Sequence, residues 1–591
     1  MENKMPLLWK INCRVLWKIV YHLQLPHGVL FRGGEEAKIR ENLIEKNHID
    51  AIIGLPENIF FGTNIATIIM VLKRNRPTSD VLIIDASKGY ERSTNNYRLR
   101  ACDIKKIEDT IRNRKEIEKY SVLVSKDTIR ENGYNLNIPR YVDSSDEPET
   151  WDIRATMFGG IPNFEVDNLK RFWDAFPGLR DELFEAISPE YVRPKTDDIQ
   201  SSIASFDTVE NYRETFIRAF DGLHQTLQED LIEGILDVSP EQEKEKLTVD
   251  IFDRVDSVKL ADKYVAYQVF AQYWDIISSD IEMLQTEGFH VITQVDPNMV
   301  IKKNNKNDDD DEVTEVQDGW KGHILPFELV QERYTPDEVN AIKQLEDRLS
   351  EIGTEYIEII DSFEEDEKQG NYLNENNDAF VSKELKATCD EILRDVESDE
   401  INALYKYLEL SKKKEKVDYI NTCKLVNWDA IEKGADGTCK KAAINSRIQE
   451  LKMEYDFPEE SFEGKLIAAL RLSDEETNIK RELKQKREEL HLKTKEIIEG
   501  LSEEEALKIV EQKWISPLIN DLCDIANSII EDAANQIDCL TQKYATTMHD
   551  IQAEKNDLRS SLCKMVGKLT ATGADKEGLE EFKLILGGQN S

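Results

Sequence analysis

The sequence predicts an α/β segment followed by a long, mostly α-helical region with coiled-coil-like helices. Three observations carry this. Residues 25–74 read LPHGVLFRGG, EEAKIRENLIEKNH, IDAIIGLPENIFFGT and NIATIIMVLKR, so apolar runs alternate with a charged stretch of near-3.6 period, as in a sheet covered by helices. From Trp151 onward apolar residues recur at intervals of three and four. Near the end, Ile530, Ile537, Tyr544, Ile551, Leu558 and Met565 stand seven apart, a repeat that seeks a partner helix.

Taken in order, residues 1–24 have no clear assignment, because Tyr21 to Gln24 run directly into the first loop. Residues 25–142 form the α/β segment. The run from Ile65 to Leu72 is a buried strand, VLIIDAS is another, and Asp103 to Tyr120 is a basic helix. Gly133 and Pro139 in NGYNLNIPRYV mark an irregular, extended exit. Residues 143–301 are a helical domain. Val166, Leu169, Trp173 and Phe176 make a core-facing stripe ended by Pro177-Gly178, and Leu260, Tyr264, Tyr267, Ala271 and Trp274 make an aromatic one. Residues 302–320 are an acidic linker, since KKNNKNDDDDE is a block of like charge that repels itself. Asp308 to Glu312 lack the Gly and the spaced terminal Glu of a calcium loop.

Residues 321–591 are a helical domain with a coiled-coil hairpin. Thr335-Pro336-Asp337-Glu338 is a helix start, with Thr as N-cap, Pro in the first turn and acids at the positive dipole end. Leu483, Leu490 and Ile497 form a shorter seven-spaced seam, a candidate partner for the later one within the chain. Pairing with another chain is the alternative, and Ile551, in mid-seam, is expected to be buried under either.

Charge divides the chain. Residues 1–142 hold 24 Lys+Arg and 17 Asp+Glu, a balance of +7, and the rest hold 53 against 100, a balance of −47. Nucleic-acid contact from this chain therefore belongs to the first 142 residues, and the acidic bulk serves solubility and protein partners. Eight cysteines without a C-x-x-C pair read as reduced thiols, with no disulfide frame and no metal site. No run reaches the ~18 apolar residues of a membrane span. The apolar start is broken by Lys10, Arg14 and Lys18, unlike a signal peptide, so a cytoplasmic location is expected.

LPHGVLFRGG, GLPENIFFGT and NLNIPRYV, in this order within residues 25–142, resemble the C-terminal half of the catalytic domain of type I restriction–modification methylation subunits. These are DNA adenine N6-methyltransferases, so the resemblance implies a remnant of a Rossmann-like methyltransferase sheet and S-adenosylmethionine as the family's cofactor. It implies a specificity subunit and a restriction subunit as partners, with DNA reached through the complex and no membrane. In that family the C-terminal helices dock on helical spacers of the specificity subunit, and the seven-residue seam supplies a means. In related enzymes an aromatic ring before the last strand pair stacks on the flipped adenine. Counting back from IATIIMVL places that ring at Phe60, with Gly62 and Thr63 completing the turn. Such a base needs a π-face, worth ~1–3 kcal/mol, although Phe60 and Phe61 covering the sheet end is the simpler role.

The family's Gly-rich cofactor turn and Asn/Asp-Pro-Pro-aromatic loop lie upstream of the resembling segment. This sequence contains no G-x-G and no Pro-Pro, so no catalytic or cofactor-binding residue is assigned. Nor is there a nucleophile elbow, P-loop or H-E-x-x-H, and His27 and Arg32 read as loop residues, not catalysts. Two readings remain. One is an N-terminally truncated modification subunit that is not catalytic on its own. The other is an acidic, coiled-coil interaction protein retaining a non-catalytic methyltransferase remnant.

Overall fold

The computed structural model describes residues 20–587 except 61–63, 94–95, 146–147, 197, 304–312, 435–436, 456, 459 and 571. The chain forms two compact units, residues 1–289 with 510–591, and residues 290–509. This division differs from the composition-based one, because the chain returns to its first unit after 509.

The first unit contains a five-stranded mixed sheet built from β1 (Val20–Pro26), β2 (Ile49–Gly54), β3 (Thr67–Lys73), β4 (Val81–Asp85) and β5 (Ser121–Val124). Its spatial order is β1-β3-β2-β4-β5. β3 runs antiparallel to both neighbours, β2 and β4 are parallel, and β5 is antiparallel to β4. The central strands are apolar on both faces because both are covered. Val81 and Ile83 face a core with Leu30, Ile44, Ile129, Leu136 and Ile138, under α1 (Glu35–Glu45) and α3 (Lys126–Glu131). Leu82 and Ile84 face the opposite core, with Ile107 of α2 (Ala101–Asn113).

Two expectations change here. Residues 20–24, read as unassigned, and Leu25–Pro26, read as the start of the first loop, are strand β1, paired residue for residue with β3 from Val20↔Lys73 to Pro26↔Thr67. Pairing with an apolar neighbour makes the strand, and its own His22, Leu23 and Gln24 stay exposed at the sheet edge. Residues 1–19 lie outside the described set. The basic helix is also shorter than expected. It stops where Arg114 turns left-handed (φ 46°), which lets the guanidinium reach the Asp50 carboxylate at 2.8 Å.

Helix α5 (Lys263–Glu287), the aromatic stripe of the sequence, covers the outside of α2; α4 (Ile153–Phe158) precedes it. Gln268 Oε1 accepts from the Cys102 N–H at 3.1 Å, and the Lys106 ammonium lies 5.8 Å from the Tyr264 ring. The stripe at Val166–Phe176 folds as two short helices, Asn163–Asp167 and Lys170–Ala175, with the Trp173 indole donating to Val166 O at 2.7 Å.

In the second unit β6 (Val295–Lys303) and β7 (Val313–Gly322) form a hairpin. Much of the expected 302–320 linker is therefore strand, because backbone pairing overrides the polar composition. Its most charged part, 304–312, lies outside the described residues. Helix α6 (Pro336–Asp361) begins where Thr335-Pro336 signalled it, yet the Thr335 hydroxyl donates back to Gln331 O at 3.0 Å and caps nothing. Ile342 of α6 packs with Leu483 and Leu490 of α7 (Phe462–Gly500). The short seam thus has α6 as partner, not the later seam with which a hairpin was expected.

That later seam is split. α8 (Glu503–Lys543) carries Ile530 and Ile537, both buried, as is Tyr544 beyond its end. A new helix, α9 (Met548–Gly567), then leaves Ile551, Leu558 and Met565 at 50%, 63% and 59% exposure. The last helix is α10 (Ala574–Gly587).

Candidate functional site

In open α/β sheets ligands meet the loops beyond the carboxyl ends of the strands. Here the parallel pair ends at Gly54 and Asp85, which are register partners. Four loops gather there, and they include the three motifs singled out in the sequence.

The turn His27–Leu30 follows β1 and is held by the His27 N–H to Ala66 O at 3.1 Å. It meets the third motif where Leu136 N donates to Leu30 O at 3.0 Å. Arg40 of α1 clamps both, donating to Val29 O at 2.7 Å and Tyr134 O at 3.2 Å. Sequence reasoning passed over Arg40. A buried arginine on an otherwise charged helix gave no periodicity signal, since its role is to satisfy loop carbonyls.

The Ile138 side chain caps the end of β2. A Cβ at Gly54 would stand 2.7 Å from Ile138 Cδ1, so any larger residue there would push the Ile138 methyl group aside. Asp85 accepts from the Ser87 N–H at 3.0 Å and from Ser144 Oγ at 2.5 Å, and the carboxylate is spent on holding its own loops. Partial burial lowers the His27 pKa from its usual value, and the Asp85 charge opposes this only in part. The His27 ring packs edge-on to Phe31, with centroids 5.7 Å apart. Arg32 is exposed, lies over Gly28, and stands 4.0 Å from Glu36.

Phe60 sits in the loop from β2 to β3. Its ring is half-buried against the core that holds Ile53, Val71 and Ile84. Together with Gln24, Leu25, Pro26, Ile65 and Thr67 it lines a shallow, open depression of about 260 Å³. The loop is pinned by Tyr97 N donating to Asn58 O at 3.0 Å, from a short hairpin in which Tyr90 and Tyr97 stack at 4.2 Å. Gly62 and Thr63, expected to complete the turn, lie outside the described residues, as does Phe61.

The depression is smaller than the ~300–1,000 Å³ of small-molecule pockets, and its walls carry no carboxylate. The described residues that line it do not fit a nucleoside-sized cofactor. Among the described residues no cluster of His, Cys, Asp and Glu suits a metal ion. The described cysteines are free thiols. Burial and the neighbouring Asp103 push Cys102 up to about 11, which makes it a poor nucleophile.

At the opposite end of the sheet a register shift at Asp50 turns its carboxylate toward three cations. Lys73, Arg76 and Arg114 approach it at 2.6, 2.9 and 2.8 Å. Burial alone would raise its pKa, but the three positive charges outweigh this and hold it below the usual carboxylate range. This cluster fixes the strand ends and faces away from the loops.

A mixed sheet with helices on both faces, motif loops at its carboxyl end and an aromatic ring in an open depression defines an α/β segment with its loops gathered at one end. Residues 22–150 match the N-6 DNA methylase family. Over 129 residues the chain is 42% identical to the Type I restriction enzyme MpnII methylase subunit of Mycoplasma pneumoniae, covering 22% of this chain and 24% of that one. It is 40% identical over 139 residues to the MjaVII methylase subunit of Methanocaldococcus jannaschii, with the same coverage. Among solved structures, the type I methyltransferase subunit from Streptococcus thermophilus is 48% identical over 21% of this chain and 27% of that one, with a TM-score of 0.21. Residues 22–150 are thus similar to the N-6 DNA methylase family and to part of type I methylase subunits, and the chain spans about a quarter of the length of these curated relatives. Among the described residues no helix is long and apolar enough to cross a membrane.

Proposed function

We propose that this chain is a modification subunit of a type I restriction–modification system. Residues 22–150 supply the target-base side of an adenine N6-methylating site. The chain reaches DNA through a specificity subunit, has a restriction subunit as a further partner, and is not catalytic on its own. The observation that carries the reading is the convergence of the three motif loops at the carboxyl ends of β2 and β4, beside Phe60 in its open depression. S-adenosylmethionine would supply the methyl group. With no G-x-G or Pro-Pro in the sequence, and with the depression lined by described residues too small for it, no step through it is assigned to these residues.

Calorimetric titration of the chain alone with S-adenosylmethionine is expected to give no heat of binding, and a micromolar Kd would sink this part of the reading. The stacking role is tested in the assembled complex, using DNA with 2-aminopurine at the target adenine. Phe60→Ala should lose ~1–3 kcal/mol of flipped-base binding, roughly 5- to 150-fold, and Phe60→Tyr should keep most of it. Equal fluorescence in the wild type and Phe60→Ala would assign Phe60 to covering the sheet. A second reading, an acidic interaction protein with a non-catalytic remnant, is supported by the exposed apolar face of α9. Restoration of site-specific methylation by adding this chain to its specificity subunit and a cofactor-binding chain would exclude it.

A further inference from the structure

Helix α9 carries an apolar stripe that no described residue covers. Met548, Ile551, Leu558, Leu562 and Met565 repeat at steps of three and four, broken only by Lys555, and each is exposed. The neighbouring α10 does not hide them. It packs around Cys563 and Gly567, on another side of the helix. A face with this period is the seam of a two-stranded coiled coil.

Charge along α9 selects the occupant and its direction. Residues 548–557 hold Asp550, Glu554 and Asp557 against Lys555, whereas residues 558–569 hold Arg559, Lys564 and Lys568 and no acid. A second α9 running antiparallel sets the acidic half against the basic half twice over. It places Met548 against Met565 of the other copy, Ile551 against Leu562, and Lys555 against Leu558, whose edge the lysine stem can cover while its ammonium reaches water. A parallel pair would stack Lys555 on Lys555 and set like charge against like along its whole length.

A second exposed apolar patch lies beside the start of α9. The turn at Gly159 packs against the Thr547 methyl group at the start of α9. Beside it, α4 exposes Ile153 by 77% and Phe158 by 68%. In the antiparallel arrangement this patch receives the Met565 end of the opposing helix.

We propose that α9, extended by α4, is a homodimerisation surface at which two copies of this chain pair antiparallel. The proposal does not depend on the methylase reading. Sedimentation equilibrium of the full chain is the test. The expected mass is twice that of the monomer. Leu558→Lys should raise the dimer Kd by ~100-fold or more while leaving the melting of the monomer unchanged, because the side chain is exposed there. Inverting Arg559, Lys564 and Lys568 to Glu sets acid against acid in an antiparallel dimer and should dissociate it, whereas a parallel dimer would be indifferent. A chain that stays monomeric at tens of micromolar, or a dimer indifferent to Leu558→Lys, overturns the surface. A dimer that survives the charge inversion overturns the direction. A wild-type monomer that uses α9 only to bind a specificity subunit assigns the seam to that partner and ends the proposal.

Discussion

Asp50 shows how one carboxylate organises the end of a sheet. With its side chain only 5% exposed, it is tolerable as a charge because Lys73, Arg76 and Arg114 surround it. Asp50→Asn removes the anion and leaves three cations crowded around a neutral amide. Denaturant unfolding at neutral pH should show a loss of ~3–5 kcal/mol, as for a broken buried pair. The pH dependence has a definite sign. A folded-state pKa held below the unfolded ~3.9 gives stability that is fully present above ~3.9 and is lost as pH falls through the folded value. The gap between wild type and Asp50→Asn should therefore narrow on the acid side only. A gap constant from neutral to strongly acid pH would show that Asp50 does not carry it.

The element that most separates pattern from packing is the seven-residue repeat. Tyr544 ends its buried half, donating to Glu165 at 2.6 Å and accepting from the Asp152 N–H at 3.0 Å. Thr547 then starts a new helix through a capping box with Asp550, in which each backbone N–H donates to the other's side chain at 3.1 Å. The repeat continues in sequence while its environment changes from core to surface. Ile537→Ala should cost ~2–5 kcal/mol, as for a core isoleucine, whereas Ile551→Ala or Ile551→Lys in dilute solution should stay within ~0.5 kcal/mol of wild type. Chemical melts of the three variants decide this, and equal losses at 537 and 551 would restore one continuous buried seam. Thr547-Met548-His549-Asp550 was a legible start signal, outweighed in the sequence by the unbroken spacing of apolar residues.

For the whole molecule, the methylase-like sheet is not self-contained. Its α2 face is roofed by α5, through Gln268 and Tyr264, and β1 stands at the sheet edge with hydrogen bonds to β3. Residues 20–142 expressed alone would uncover that helix face beside an edge strand, a combination that favours association. The fragment is expected to aggregate or to melt without a cooperative transition. A monomeric fragment with a sharp thermal transition would show that the sheet folds without α5. From residue 510 on, α8 contributes to the same unit, where the Trp514 indole donates to buried Asp280 at 2.8 Å and the Lys543 ammonium lies 2.8 Å from Glu165.

The sequence by itself determined the α/β segment, the strands β2, β3 and β4, the helix start at Pro336 and the three loop motifs. Each is encoded by neighbours within one turn or strand: apolar runs, Pro and Gly at fixed places, acids at a helix start. It also put Phe60 in the loop ahead of β3, since that position is counted back from the strand. Only the tertiary structure decided the rest. β1 is a strand because β3 offers it an edge, which no property of Val20 to Pro26 reveals. Leu483 and Leu490 meet α6, not the later heptads, because a seven-residue repeat states that a helix has an apolar stripe and leaves its partner unnamed. Arg40, Asp50 and Asp85 took their places through contacts with groups distant in sequence, and such contacts exist only once the chain has folded.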